Sequence, residues 1–259
     1  MNYPDYIMVA LTGLAVGSFL NVVIYRLPLK RGFFLSRSVC PKCSNQLKWY
    51  HNIPVISYLA LGGKCAFCKA RISVRYPLVE LMNCLLYLYF FRQFGLSTEF
   101  FVYSILSSVL IVVFFIDLDH MIIPDSITLP GIVLGLAVSL LPGQLGIVDS
   151  LIGLVVGGGS LWLVAILGDW LFKKESMGGG DIKLTAMLGT LLGWKKILLI
   201  FISSAVIGLV VSIVIMAFSS KLRRERMIPF GPFIALAALL AICYGEQIIR
   251  FYVNNFLRV

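Results

Sequence analysis

The chain has 259 residues, 59% of them hydrophobic and 13% charged, with a mean hydropathy of +0.95. Charge is about half as frequent as in a soluble domain, and long apolar runs recur between charged or Gly/Pro-containing stretches, which excludes a soluble globular enzyme. The formal net charge of +10 would suggest nucleic acid in a soluble protein, but the basic residues lie between the apolar runs and form no aromatic-basic strip. A nucleic-acid partner is therefore excluded, and orientation in a bilayer accounts for the charge.

The runs predict an all-α polytopic membrane protein with about eight transmembrane helices, at roughly 5–25, 77–94, 100–117, 126–143, 147–171, 182–194, 197–219 and 230–253. The first run has no basic n-region before it and no small-residue cleavage site after it, so it reads as a retained span rather than a signal peptide. The sixth is short for a hydrocarbon core of about 30 Å and reads either as a segment partly buried in the bundle or as a half-helix, with six or seven spans as the alternative count. Gly157-Gly158-Gly159 falls inside the fifth, where close helix packing is the expected use.

Basic residues set the orientation. Ten lie in 26–75, Lys173, Lys174 and Lys183 lie in 172–183, and Lys221, Arg223, Arg224 and Arg226 follow the seventh run. Arg92, Lys195, Lys196, Arg250 and Arg258 fall on the other side, a division of 17 against 5. Positive charge stays in the cytoplasm, so the N-terminus is expected outside, with the linker 119–125 and the glycine stretch 178–180 both facing the cytoplasm. The expected organisation is a first transmembrane helix (1–25), a cytoplasmic tetracysteine segment (26–76) and a transmembrane core (77–259).

Within 26–75, Cys40-Pro41-Lys42-Cys43 and Cys65-Ala66-Phe67-Cys68 form two C-x-x-C pairs separated by 21 residues. Each turn aims two sulfurs at one point, and two such turns give the tetrahedral four-thiolate set that suits zinc. Four sulfurs leave no open position, so the expected role is structural, in a zinc-ribbon-like insertion after the first helix. Lys42, Lys48, Lys64 and Lys69 offset the charge of the thiolates. His51 is the competing ligand, and Cys84 and Cys243, inside apolar runs, read as small buried hydrophobes.

Two carboxylates carry the chemistry. Asp117 ends an apolar run from Phe101 to Ile116, and Asp181 follows Gly178-Gly179-Gly180 and opens another. A carboxylate at the edge of hydrocarbon is a functional-site hypothesis. One would sit at the end of an apolar helix and the other at a helix N-terminus among free N–H groups, and unlike surroundings separate an acid from a base. Such a pair activates water at a peptide carbonyl. The glycines permit close backbone approach, so Gly178, Gly180 and Lys183 read as a supporting loop beside which an extended peptide lies. Asp125 reads as a helix cap, Asp119 and His120 as solvated linker, and Glu80 as compensating a helix dipole.

At these residues the chain resembles the type IV prepilin peptidases, leader peptidase/N-methyltransferases of the GxGD aspartyl-protease group. The likeness runs through Gly17-Ser18-Phe19-Leu20-Asn21-Val22-Val23-Ile24-Tyr25-Arg26-Leu27-Pro28, the cysteine pairs, Arg75-Tyr76-Pro77-Leu78-Val79-Glu80 and Asp117-Leu118-Asp119-His120. It continues through Pro124-Asp125, Gly178-Gly179-Gly180-Asp181 and Ile228-Pro229-Phe230-Gly231-Pro232-Phe233. Ala66 stands where the family often has proline. The resemblance implies that Asp117 and Asp181 are catalytic, that a class III signal peptide is cut in the cytoplasm after glycine, and that the new α-amino group is methylated from S-adenosylmethionine. It implies prepilin or type II secretion pseudopilin substrates and a bacterial inner-membrane location. The residues themselves carry no dinucleotide-type glycine fingerprint for the methyl donor. Its binding residues are left unknown, with 26–75 and Glu80 as the candidate seat. The rival readings are a transporter with a carboxylate relay and a zinc-ribbon adaptor on inert helices.

Overall fold

The computed structural model describes residues 3–30, 32, 39–40, 42–173, 177–218 and 228–257. Among the basic residues used above for orientation, Arg31, Arg37, Lys174, Lys221, Arg223, Arg224, Arg226 and Arg258 lie outside the described residues, as does Pro41 of the first cysteine pair. The described chain is helical, without strands, and falls into two units that meet within one helix, at Val112 and Val113.

In the first unit, α1 (Tyr3–Arg26) is followed by a short helix α2 (Ile56–Ala60), then α3 (Arg75–Phe94) and the first part of α4 (Thr98–His120). Helices α1 and α3 run antiparallel at very close range because glycine faces α3 once per turn. A Cβ on Gly13 would stand 2.8 Å from Cys84 Cα, and one on Gly17 would stand 2.7 Å from Glu80 Cα. Between lipid-solvated helices there is no hydrophobic drive to associate, so close packing and interhelical hydrogen bonds do the work. Asn83 Nδ2 donates to Gly13 O (2.8 Å), Ser108 Oγ donates to Asn83 Oδ1 (2.7 Å), and Asn21 Nδ2 donates to Tyr76 O (3.1 Å). Replacing Gly17 by Leu sets side chain against backbone that cannot yield. It should destabilise by at least about 1–3 kcal/mol, read as a fall in thermal-unfolding midpoint in detergent.

The second unit holds the end of α4, then α5 (Asp125–Ser139), α6 (Ile147–Phe172), α7 (Gly179–Phe218) and α8 (Gly231–Tyr252), which runs into a π-helical turn Val253–Leu257. At 1.5 Å per residue, the 40 residues of α7 would reach about 60 Å, twice a hydrocarbon core. They are broken at Gly193 (φ 77°, ψ 167°), a conformation open in practice to glycine alone. The chain doubles back there. Asp181 begins α7 near Asp117, Gly193 meets Leu145 just before α6, and Gly208 has returned to Phe233 in the first turn of α8. The sixth and seventh predicted spans are thus the two arms of α7, and the short one is a half-length arm.

Among the described residues, five helices are long and apolar enough to cross a membrane: Tyr3–Arg26, Thr98–His120, Ile147–Leu171, Gly179–Val214 and Gly231–Asn255. The expected span at 126–143 ends as a helix at Ser139, and its 15 residues reach only about 22 Å. The chain is a multi-pass membrane protein.

The glycine run in α6 packs as expected, in part. A side chain on Gly157 would overlap the Thr185 carbonyl, and one on Gly158 would stand 3.0 Å from Ala186 Cβ, whereas Gly159 meets only its own helix. Gly153 and Gly189 bring the α6 and α7 backbones into direct contact, and Ser150 Oγ donates to Thr190 O across the same seam (2.7 Å).

Candidate active site and metal centre

Helix α4 ends in a left-handed cap. Met121 takes φ 54° and its N–H donates to the carbonyl of Asp117 (2.8 Å), closing the last turn on the residue that carries the first carboxylate. Left-handed backbone at a non-glycine residue is uncommon and stores strain, and strain of this kind concentrates at functional sites. The Asp117 side chain is buried, and the Gly231 N–H at the start of α8 faces its carboxylate. A Cβ on Gly231 would stand 2.5 Å from Asp117 Oδ2, so glycine is what lets that N–H approach.

Asp181 lies in the first turn of α7, its N–H donating to Gly178 O (3.1 Å). The predicted supporting loop is shorter than expected. Gly178 precedes the helix, but Gly179, Gly180 and Lys183 are helical. The reason is a packing contact: Ile123 of the α4–α5 linker lies on Gly180, where a Cβ would stand 2.9 Å from its own Cβ, and its Cδ1 also reaches Gly231. Ile123 is a wedge between the two segments that carry the site. Asp181 and Asp117 interact electrostatically, so the chain brings together the two carboxylates that the sequence singled out. Asp181 Oδ1 is buried with no hydrogen-bond partner among the described residues, an expensive state for a carboxylate oxygen that has only structural work to do.

Asp125 was expected to cap α5. Instead Pro124 holds the cap position, and both Asp125 oxygens accept from Lys183 Nζ (2.7 and 2.8 Å). This ion pair ties the first turn of α5 to the start of α7, two residues beyond Asp181. Sequence reasoning missed it because 58 residues separate the partners, and it missed the Gly231 amide because a backbone donor leaves no mark in composition. Asp119 and His120 are exposed at the end of α4.

The tetracysteine segment in the first unit contains two equivalent knuckles. Cys40 N–H donates to Asn45 O (3.0 Å) and Ser44 N–H to Cys40 O (2.8 Å), and Cys65 N–H donates to Ala70 O (2.8 Å) and Lys69 N–H to Cys65 O (3.1 Å). Ser44 and Lys69 occupy the same position in their turns with φ 56° and 58°, and isolated antiparallel bridges Val39–Gln46 and Lys64–Arg71 close each knuckle. The four sulfurs of Cys40, Cys43, Cys65 and Cys68 lie within 4.8 Å of one another, with Cys40 Sγ 3.9 Å from Cys68 Sγ. Zn–S bonds of about 2.3 Å in a tetrahedron place sulfurs about 3.8 Å apart. Backbone N–H groups of Cys43 and Lys42 hold the Cys40 thiol down at about 6. The Asn45 N–H acts the same way on Cys43, but burial and the neighbouring sulfurs outweigh it and push that thiol up to about 11. A quartet that cannot shed all its protons without a cation, at tetrahedral spacing, fits a structural zinc ion. His51 is not a member of the quartet: its ring packs edge-on against Tyr50 and Phe67.

Glu80 is buried in the same unit. Its Oε2 accepts from the N–H of Val55 (2.7 Å), a β-branched residue at φ 61°, and Ser18 bonds its carboxylate as well. That carboxylate clamps the turn before α2 to α3, a role the dipole argument did not anticipate.

Sequence comparison decides the family. Residues 11–94 match the bacterial peptidase A24 N-terminal domain, and residues 104–213 match the type IV leader peptidase family. A prepilin leader peptidase/N-methyltransferase of Stutzerimonas stutzeri is 41% identical, the alignment covering 98% of this chain and 96% of that protein. The chain belongs to the prepilin leader peptidase/N-methyltransferase family. The Pseudomonas aeruginosa member is 39% identical over 94% of this chain and 92% of its own length, and the Myxococcus xanthus member is 44% identical over 79% and 61%. No solved structure matches. The two matched segments assign the cysteine quartet to the N-terminal domain of this peptidase family and both carboxylates to its leader-peptidase domain.

Proposed function

We propose that Asp117 and Asp181 are the catalytic pair of a prepilin leader peptidase/N-methyltransferase. The observation that carries this reading is the buried Asp181 Oδ1, without a hydrogen-bond partner among the described residues and in the field of Asp117, at the junction of a helix end and a helix start. The enzyme cuts the leader peptide of prepilins or pseudopilins after glycine, and it methylates the new N-terminus with S-adenosylmethionine as donor. Its partners are those substrates and membrane lipid.

One carboxylate takes a proton from water as its oxygen attacks the scissile carbonyl carbon. The other, protonated, donates to the carbonyl oxygen, and collapse of the tetrahedral intermediate breaks the C–N bond as the amine takes up a proton. The proton is shared by the pair, so neither residue has a fixed role. The Gly231 N–H supports one Asp117 oxygen. Lys183 and Asp125, both about half exposed, hold the first turn of α7 in register. An exposed pair contributes at most about 1 kcal/mol to stability, so Lys183→Gln should barely move the unfolding midpoint. Its expected effect is on kcat for cleavage, which falls by up to about 10²-fold because a misplaced reacting group is costly. Equal falls in kcat and stability would reduce the pair to a structural tie.

The positive-inside distribution supports an N-terminus outside and an active site facing the cytoplasm of a bacterial inner membrane. The division 1–25, 26–76 and 77–259 then separates a first anchor, the cytoplasmic zinc segment and the protease core. Nothing favours the transporter reading: the acids lie at helix ends rather than mid-helix. Glu80 is a clamp on the zinc segment, and Glu80→Gln, which keeps its acceptor for the Val55 N–H, should preserve methylation of a pre-cut peptide. Loss of methylation alone would move Glu80 into the methyl-donor site.

The decisive experiment incubates the purified protein with a prepilin peptide and reads the products by mass. The expected result is one cut after glycine and, with S-adenosylmethionine, one added methyl. An intact peptide overturns the assignment.

A further inference from the structure

Between the two cysteine knuckles of the first unit, residues 49–63 contain no Asp, Glu, Lys or Arg, and Lys48 and Lys64 bound the run. It is too short to cross a hydrocarbon core and has about the length of an interfacial or re-entrant segment. Its backbone is bonded within the segment, as a lipid surrounding demands. Ser57 N–H donates to Ile53 O (3.1 Å), Leu59 N–H to Val55 O (3.0 Å) and Leu61 N–H to Ser57 O (3.0 Å), and Ser57 Oγ also donates to Ile53 O (2.7 Å).

Glu80 fixes the depth of this run. Helix α1 is uncharged from 6 to 25, about 30 Å at 1.5 Å per residue, so Arg26 marks one edge of the hydrocarbon. Ser18, which bonds the Glu80 carboxylate, lies eight residues before Arg26, about 12 Å inside that edge. The same carboxylate accepts from the N–H of Val55 (2.7 Å). One serine side chain and two hydrogen bonds of about 2.8 Å each do not cover that distance. Helix α2, which starts at the next residue, therefore begins within the thickness of the bilayer, beside α1 and α3. The depth is the same whichever side of the membrane that edge faces.

The outward face of the run suits that depth. Ile56 and Leu59, one turn apart on α2, are 64% and 71% exposed, and Trp49 in the preceding turn is 80% exposed. Other side chains of the run are turned to the second knuckle: Tyr58 OH donates to Ile72 O (3.5 Å), and the His51 ring packs on Phe67. Lys48 Nζ lies 5.7 Å from the Tyr50 ring centroid, a cation and an aromatic ring together at the end of an apolar run, as in the headgroup layer of a bilayer.

We propose that 49–61 is a membrane anchor built into the cysteine segment, and that its partner is the phospholipid bilayer. Ile56 and Leu59 enter the acyl chains, Trp49 lies at the level of the headgroups, and the exposed Lys48 and Lys64 reach the phosphates. The surface is continuous with the lipid-facing side of α1 and α3. The knuckles flank the run on both sides, so a metal that joins them holds the two ends of the anchor together. The inference rests on α1 crossing the bilayer and not on the peptidase reading.

The test uses the zinc-loaded full chain in phosphatidylcholine nanodiscs, with one tryptophan as reporter. One variant keeps Trp49 and replaces Trp162, Trp170 and Trp194 by Phe; the other replaces Trp49 as well and gains its reporter from Leu59→Trp. Phosphatidylcholine brominated near the headgroup end of its acyl chains should quench both reporters, the one at 59 more strongly, and iodide in the water should quench neither efficiently. Quenching by iodide without quenching by bromine puts the face in water and overturns the proposal. Shielding from both overturns it in favour of a protein cover, a second copy of this chain included. Ile56→Glu with Leu59→Glu should speed proteolysis of 39–72 in nanodiscs by at least about tenfold, because cleavage follows the population of the undocked segment and burial of one aliphatic side chain is worth that factor. An unchanged rate at unchanged zinc content overturns the proposal. Should the double variant lose its zinc, the two reporters, which add no charge, decide.

Discussion

Asp117→Asn and Asp181→Asn should each reduce prepilin-peptide cleavage by at least about 10³-fold, with no further loss in the double variant. A positioned general acid or base contributes about 10²–10⁴-fold, and groups that act on one water act as a unit, so the second substitution has little left to remove. Asparagine keeps the shape of the side chain and its acceptor oxygen for the Gly231 N–H, so fold and zinc content should be those of the wild type. The measurement is single-turnover cleavage followed by mass, beside methylation of a peptide supplied already cut. If either variant keeps more than about a tenth of the rate, that residue is not part of the acid/base pair. If methylation disappears along with cleavage while unfolding is unchanged, the two reactions share a site. Gly231→Ala is the companion test. The added methyl presses on Asp117 Oδ2 and withdraws the N–H, so cleavage should fall without any change in the zinc segment.

The second large effect belongs to the metal. Replacing Cys40 and Cys65 by Ser together removes one sulfur from each knuckle, and a structural zinc site contributes about 10–16 kcal/mol of apparent binding free energy at neutral pH, which is folding free energy for the segment that holds it. Zinc content should drop from one per chain to none, and the stretch 39–72 should become sensitive to limited proteolysis. Chelation of the wild type should have the same result, and lowering pH should promote it, because the ligands bind metal as thiolates and acid restores their protons. An unchanged cleavage pattern in the metal-free protein would mean that the knuckle hydrogen bonds alone hold the segment.

How far these sites could be read in advance depended on how local their signals are. The cysteine quartet was fully legible, since each C-x-x-C turn is a contiguous device and only the meeting of the two turns needed the fold. The helices were legible for the same reason: apolar runs of span length have few other structures open to them once backbone groups must bond within the segment. The carboxylates were legible as anomalies, charged groups at the edges of hydrocarbon. Lys183 was recognised but misplaced in a loop, because three glycines read as flexible backbone when their function here includes admitting Ile123 against Gly180.

The sequence by itself therefore determined a multi-pass helical protein, its cysteine quartet and the pair of acids proposed as its catalytic centre, because hydropathy, cysteine spacing and isolated charge are properties of short stretches. Only the tertiary structure decided that α7 doubles back at Gly193, that the Gly231 amide serves Asp117, that Lys183 pairs with Asp125 and that Glu80 clamps Val55. Each of those is a contact between groups distant in the chain or a backbone conformation at a single residue. Such features depend on which surfaces the packed helices bring face to face.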